Sequence, residues 1–413
     1  MRRRLFTIIL VILIIPAGTV GQSIYSSLGV GEVVLPSTAR SAGLGLYGIG
    51  LQDQRAISLA NPALWHQAKF AGIATGINSN MNRTSLGGQY STFAFRGFNF
   101  HLPLANSVGA AIGFSPYSQI EYEFLREDNV RVLSQVSDTV TYTLESRGSG
   151  GVGGNYIGVG WKIFDRVSIG AAISFLLGQV DTDQNLRIDS PDNLLDREIA
   201  QTAGISGENL VLGGAFSGLI LASDYLGVRA EIPLRLKVRT SETVYNGISL
   251  PEERETAYYD YLWPYQYALS YNVSLQERWM IAAEGVTWMP ETELPSLTAV
   301  KGEYQYRTGM QLGVGMEYRL NPGSYVWWEK LALRTGVNWR KFMIANRTGE
   351  QPFQWKWSGG VGYPFGRGNR IDLAISYSHR TGFQAEDPVE DQLGFQVGVV
   401  LNELWFNGGI RNK

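Results

Sequence analysis

Ten cations recur at alternate positions of segments whose intervening residues are apolar: Arg229, Arg235, Lys237, Arg239, Arg307, Arg319, Arg334, Arg340, Lys356 and Arg380. Far fewer acids share those positions, chiefly Glu231, Glu317 and Asp372. Two chemistries fit this pattern. A ligand with an apolar tail and a carboxylate head needs a cation, because an unpaired buried carboxylate is strongly penalised. Arg229, Arg235, Lys237, Arg307, Arg334, Arg340 and Lys356 are the candidates for that role. Alternatively, the cations pair with nearby acids and hold an interior together. Bond-making chemistry is not expected. The chain has no cysteine, so it offers no thiolate ligand or nucleophile, and its three histidines (His66, His101, His379) are scattered without an evident partner. Gly148 to Gly154 lacks the Lys-Ser/Thr of a phosphate loop, and Gly-Xaa-Ser-Xaa-Gly is absent. No enzyme, metal or cofactor is expected, and no nucleic-acid reader.

The elements that position those cations repeat with period two. From Leu226 to Val238 the even residues are apolar, while Gly227, Arg229, Glu231, Pro233, Arg235 and Lys237 face the other way. From Tyr304 to Tyr318 the even face is apolar with tyrosines at both ends, and the odd face is small, polar or charged. Aromatic ends on an apolar face suit the two lipid–water interfaces of a transmembrane β-barrel. About fourteen such segments follow Ala68. Short turns (Phe164-Asp165-Arg166, Ser223-Asp224, Gln276-Glu277-Arg278, Gly366 to Asn369) alternate with long links at 117–151, 179–207 and 241–262. Asn321 to Trp328 is a medium-length exception on the short-turn side. The expectation is an all-β, membrane-spanning antiparallel barrel of about fourteen strands over residues 68–402. Short turns and both termini would be periplasmic, with a C-terminal tail at 403–413.

Composition agrees. Charged residues are 17% of the 413, against roughly 25% in ordinary soluble proteins, while glycine (49) and aromatics (12%) are plentiful. The net charge of −2 favours neither nucleic acid nor an anionic surface. At the N-terminus, Arg2-Arg3-Arg4, the apolar stretch Leu5 to Ile15 and Pro16-Ala17-Gly18 read as a signal peptide over 1–21, with Gln22 the first mature residue. The stretch falls short of the roughly 20 apolar residues that a spanning helix needs.

Two features break the period. Residues 22–67 lack alternation, and the stretch Pro36 to Trp65 carries Gly43, Gly45, Gly48, Gly50 and the step Asn61-Pro62, which suits a compact irregular segment enclosed by the wall. In the second strand, Phe93 and Phe95 are apolar at odd positions but Phe98, Phe100 and Leu102 at even ones. That parity change demands a β-bulge at Arg96-Gly97, either a sheet irregularity or a site where the wall opens laterally.

Ala39-Arg40-Ser41-Ala42-Gly43-Leu44-Gly45, Asp53 and Asn61-Pro62-Ala63-Leu64 resemble the hatch of the FadL/TodX family of outer-membrane hydrophobic-compound transporters. A second match runs from Pro103 to Gly109 and over Gly113-Phe114-Ser115-Pro116, although Tyr117-Ser118 departs from that family's Phe-Gly. The resemblance implies a fourteen-stranded barrel with a plug at 22–67, whose marker residues are Arg40, Gly43, Gly45, Asp53, Asn61, Pro62 and Ala63. It also implies passive uptake of hydrophobic or amphiphilic molecules such as long-chain fatty acids, caught first at the acid-rich outer loops. PorV-type barrels of type IX secretion share a similar hatch, which leaves a structural or shuttle role in protein secretion as the alternative. Expected partners are the ligand, outer-membrane lipid or lipopolysaccharide and the barrel-assembly machinery, with a monomer as the expected state. The C-terminus departs from barrels that end on an aromatic, since Asn407 to Lys413 follow Leu404-Trp405-Phe406.

Overall fold

The computed structural model describes residues 24–403 except 28, 86–88, 132–138, 189–196, 247–251, 277, 291–303, 322, 367 and 385–386. The expected signal peptide, the tail beyond Glu403 and the loop acids Asp189, Asp192 and Asp196 lie outside the described residues.

Fourteen antiparallel strands close into a barrel. They are β1 (Ala71–Thr84), β2 (Gln89–Ala105), β3 (Val108–Arg131), β4 (Thr139–Phe164), β5 (Val167–Ile188), β6 (Arg197–Ser217) and β7 (Asp224–Asn246). They continue as β8 (Tyr265–Leu275), β9 (Trp279–Met289), β10 (Gly309–Arg319), β11 (Ala332–Lys341), β12 (Phe353–Phe365), β13 (Asn369–Arg380) and β14 (Glu390–Glu403). Each strand pairs with its sequence neighbour, and β14 pairs with β1 from Glu390–Thr84 to Glu403–Ala71. Alternation is the cause. On β10 Met310, Leu312, Val314 and Met316 are exposed to the outside, and the residues between them are buried inside. The outward aromatics pair near the rims, as Trp279 with Tyr318 (4.3 Å between centroids) and Trp357 with Tyr377 (6.0 Å) do.

The wall is lopsided. Strands β8 to β14 hold 10 to 14 residues, and an eleven-residue strand tilted by ~40° rises about 28 Å, close to the apolar band of a bilayer. Strands β3 to β7 hold 21 to 26. The links expected at 117–151, 179–207 and 241–262 are therefore largely strand, and the third includes a further strand, Glu252–Tyr261, paired with β7. Above the bilayer both faces meet water or protein, so the ladder continues while the lipid-facing period that marks it in the sequence disappears.

A bulge at this height reverses the faces of β7. Glu208 pairs with Arg235 but Asn209 with Pro233, so Leu234 is an extra residue. Below it Arg229 and Glu231 point inward. Above it Leu236 and Val238 are buried inside, and Arg235, Lys237 and Arg239 face outward. The reversal occurs where lipid gives way to water, which makes the outer face polar and frees the inner face for an apolar core. That core includes Ile120, Val152, Leu176, Val180, Ile205, Leu236 and Val238.

The N-terminal segment lies inside the barrel. Ser26 Oγ donates to the Glu121 carbonyl (2.6 Å), thirteen residues along β3 from the short-turn end, and Glu32–Val33 pairs with Gln119 and Ser118 of β3. A single α-turn, Ala39–Gly43, packs on β12, β13 and β14. The 3-10 turn Pro62–Gln67 packs on β4, β5 and β6 at the short-turn end. The segment thus extends from the short-turn end to about the middle of the tall strand β3.

Candidate functional site

Six side chains close a ring of alternating charge at the short-turn end. Arg40 binds Glu317 (3.0 Å), Glu317 binds Arg334 (2.8 Å) and Arg334 binds Asp372 (2.7 Å). Asp372 binds Arg370 (2.6 Å), Arg370 binds Asp53 (2.6 Å), and Asp53 returns to Arg40 (3.3 Å). Arg40 and Asp53 come from the N-terminal segment and the other four from β10, β11 and β13. The capping box at Thr38 and Ser41 fixes the α-turn that presents Arg40. Burial alone would raise the Asp53 carboxyl, but Arg370 and Arg40 hold it well below its usual range.

Other wall groups grip the backbone of the segment. Glu284 accepts from the N–H groups of Tyr47, Gly48 (2.9 Å) and Ile49 (3.2 Å). The side-chain amides of Asn272, Asn338, Gln396 and Asn402 donate to the carbonyls of Gly50, Gly45, Ser37 and Arg55. Asn61 caps Pro62–Gln67 through Ala63 N (3.0 Å) and donates to Ile49 and Gly214. Close approach needs glycine here. A Cβ on Gly315 or Gly336 would collide with the Leu44 carbonyl, and one on Gly160 or Gly170 with Pro62.

The bulge lies where parity places it. Thr75 pairs with Phe98 but Ile77 with Phe95, so Arg96 and Gly97 oppose the single residue Gly76, and Gly97 has φ 101°. The wall changes there. Strand β2 pairs with β3 only from Phe98–Phe114 down to Ala105–Val108. Beyond the bulge, residues Gln89 to Phe95 pair with β1 alone, while β3 takes Glu32–Val33 along that edge. Pro116, lacking an N–H, sits where the ladder to β2 stops. Phe95 and Phe114 stack beside the resulting seam (6.4 Å).

Behind the seam is a cavity of about 150 Å³ lined by wall side chains that include Asn78, Asn82, Arg96, Arg340, Gln354 and Lys356, and by Glu32 and Tyr47 of the segment. Of the seven anion-binding candidates, Arg340 and Lys356 line this cavity. Arg334 is committed to the ring, and Arg229 to Glu231 (2.5 Å) and Gln266, with its guanidinium over the Tyr47 ring. Arg235 and Lys237 point outward, for the reason given above. Arg307 is exposed at the outer rim beside Gly349, because the strand it was assigned to begins only at Gly309. Of the marker residues, Arg40 and Asp53 enter the ring, Gly43 packs against Gly360, Gly45 against Gly336 and Val337, and Asn61-Pro62-Ala63 form the floor. Sequence reasoning missed Glu32, Glu284 and Arg370. Two signals were available: Glu284 alternates with the inward residues Ala282 and Val286, and Arg370 shares the parity of Asp372.

Residues 1–409 match the BamG family. Among solved structures the chain is similar to a Pseudomonas aeruginosa FadL homologue (TM-score 0.63, 13% identity, 90% of this chain and 99% of that one). It is also similar to the CymD monoaromatic hydrocarbon channel (0.57, 12%, 90% and 99%) and the Ralstonia pickettii toluene transporter TbuX (0.56, 13%, 89% and 99%). No curated protein matches the sequence. At such identities the structural likeness is one of fold. The chain belongs to the BamG family and is an outer-membrane β-barrel of FadL-like fold.

Proposed function

We propose that this barrel is a non-enzymatic outer-membrane channel for passive passage of hydrophobic or amphiphilic small molecules, long-chain fatty acids among them, with the seam between β2 and β3 as the lateral opening. The observation that carries the reading is the loss of β2–β3 pairing beyond Phe98 with a cavity directly behind it. The resemblance in fold to hydrocarbon channels supports it. A Gly97 deletion removes the residue that forms the bulge and lets β2 continue in register. The expected result is uptake of toluene and oleate by expressing cells that falls at least tenfold with the barrel still folded. Uptake equal to that of the unaltered protein would sink the reading.

A second reading is favoured by the family and by the dense fastening of the inner segment. In it the barrel is a structural partner of the barrel-assembly machinery or, as in PorV-type barrels, of protein secretion. Affinity purification from native membranes distinguishes the two. Stoichiometric recovery with an assembly or secretion complex, and no extractable ligand, favours the second.

A further inference from the structure

We infer that the link between β10 and β11 inserts into the membrane leaflet at the short-turn end, with phospholipid as its partner. This does not depend on what the lumen carries. Residues 321–328, the medium-length exception among the short turns, read Asn-Pro-Gly-Ser-Tyr-Val-Trp-Trp and carry no charge. Tyr325 is 99% exposed, Trp327 56% and Trp328 49%, a continuous apolar surface of the kind that marks a contact with membrane or protein. The described part of the link has a fixed conformation. Asn321 N donates to the Glu329 carbonyl (2.7 Å), Ser324 N to the Asn321 carbonyl (3.1 Å) and Val326 N to Ser324 Oγ (3.0 Å), and Trp328–Lys330 forms a 3-10 turn.

The neighbouring wall identifies lipid as the partner. Strand β11 is the shortest of the barrel, with 10 residues. Its outward side chains run from Leu333 to Trp339, about 15 Å at a tilt of ~40°, against an apolar band of roughly 25 Å. Strand β12 pairs with β11 only as far as Gly362–Ala332 and continues for three more residues, where its outward Tyr363 and Phe365 stack (6.4 Å). On the other flank stand the outward Trp279 and Tyr318. The link therefore leaves the wall between two lipid-facing aromatic pairs, at the strand whose apolar face stops short. Val326, Trp327 and Trp328 extend that face beyond the strand end. Tryptophan and tyrosine favour this depth, because an apolar ring lies in the leaflet while its N–H or O–H reaches the head groups. A wall that is too short thins the bilayer or tilts the barrel, and the inserted link restores the match on this side.

The test attaches one nitroxide at a time to the cysteine-free chain, in the full-length barrel reconstituted into vesicles of phosphatidylethanolamine and phosphatidylglycerol. Tyr325→Cys is the probe, at a position whose exposure means that no core contact is lost. Leu312→Cys on the outer face of β10 is the lipid reference, and Asp165→Cys in the exposed turn between β4 and β5 is the water reference. Collisions with oxygen, which concentrates in lipid, are compared with collisions with a water-soluble nickel chelate. The expected oxygen-to-nickel ratio at Tyr325→Cys exceeds that at Asp165→Cys by at least about fivefold. A ratio equal to that at Asp165→Cys overturns the assignment. A watery ratio in vesicles together with loss of nickel access in native membranes assigns the link to a protein partner, and overturns it too. A second measurement needs no label. The emission removed by W327F/W328F should be emission that brominated phospholipids quench, and emission insensitive to bromine refutes insertion.

Discussion

Replacing Asp53 by Asn removes one negative member of the charge ring and leaves its shape in place. The pairs of Asp53 with Arg40 and Arg370 are buried, since the side chains are 11%, 5% and 8% exposed. Removing one partner of a buried pair costs about 3–5 kcal/mol, because the other charge stays desolvated. Asn keeps an oxygen that can accept from the Arg55 N–H (2.9 Å), and Arg40 and Arg370 keep Glu317 and Asp372, so the lower end of about 3 kcal/mol applies. The barrel ladder does not depend on this group. The loss therefore falls on the inner segment, whose open population rises by more than about a hundredfold. The cysteine-free chain allows a clean assay. A single cysteine at Ala56, 4% exposed and packed on Ala74 and Val400, reports opening by its maleimide labelling rate. The Asp53→Asn protein should label more than about a hundredfold faster at pH 7. A change below threefold would refute the claim that the ring holds the segment.

The same carboxyl gives a pH dependence. Its folded pKa lies below the ordinary 3.8, so its stabilisation is complete above that value and disappears as pH falls. Emission from buried Trp65 should stay constant from pH 7 to about 4 and shift to the red below it, whereas a shift starting above pH 5 would contradict the assignment. Glu284→Gln places an amide donor against three N–H donors and should cost about 2 kcal/mol of segment retention by the same labelling assay. Gly336→Ala drives a methyl into the Leu44 carbonyl and should lower the urea midpoint by the equivalent of about 1–3 kcal/mol. Gly359→Ala, whose new atom would meet nothing nearer than 3.8 Å, serves as its control, and equal effects of the two would refute the packing argument.

The membrane wall was legible in the sequence because lipid imposes a strict period of two on every spanning strand. The bulge at Arg96-Gly97 was legible for the same reason, since a parity change among phenylalanines has few other causes. Above the bilayer that constraint ends, so the outer halves of β3 to β7 were read as loops, and the reversal at Leu234 misassigned Arg235 and Lys237. The fastening of the inner segment was hidden for another reason. Arg40 meets Glu317, Tyr47 meets Glu284 and Gln396 meets Ser37 only after closure, and no local spacing marks such pairs.

The path of the inner segment also bears on how the barrel is built. Its Pro62–Gln67 turn seats on β4, β5 and β6, whereas its α-turn seats on β12, β13 and β14. Its charged partners arrive with β10, β11 and β13. Fourteen residue pairs zip β14 to β1. The ring of six charges draws two members from the inner segment and four from three strands of the far side of the wall, so it is complete only when all of them are in place. It is a latch that only the assembled cylinder can close.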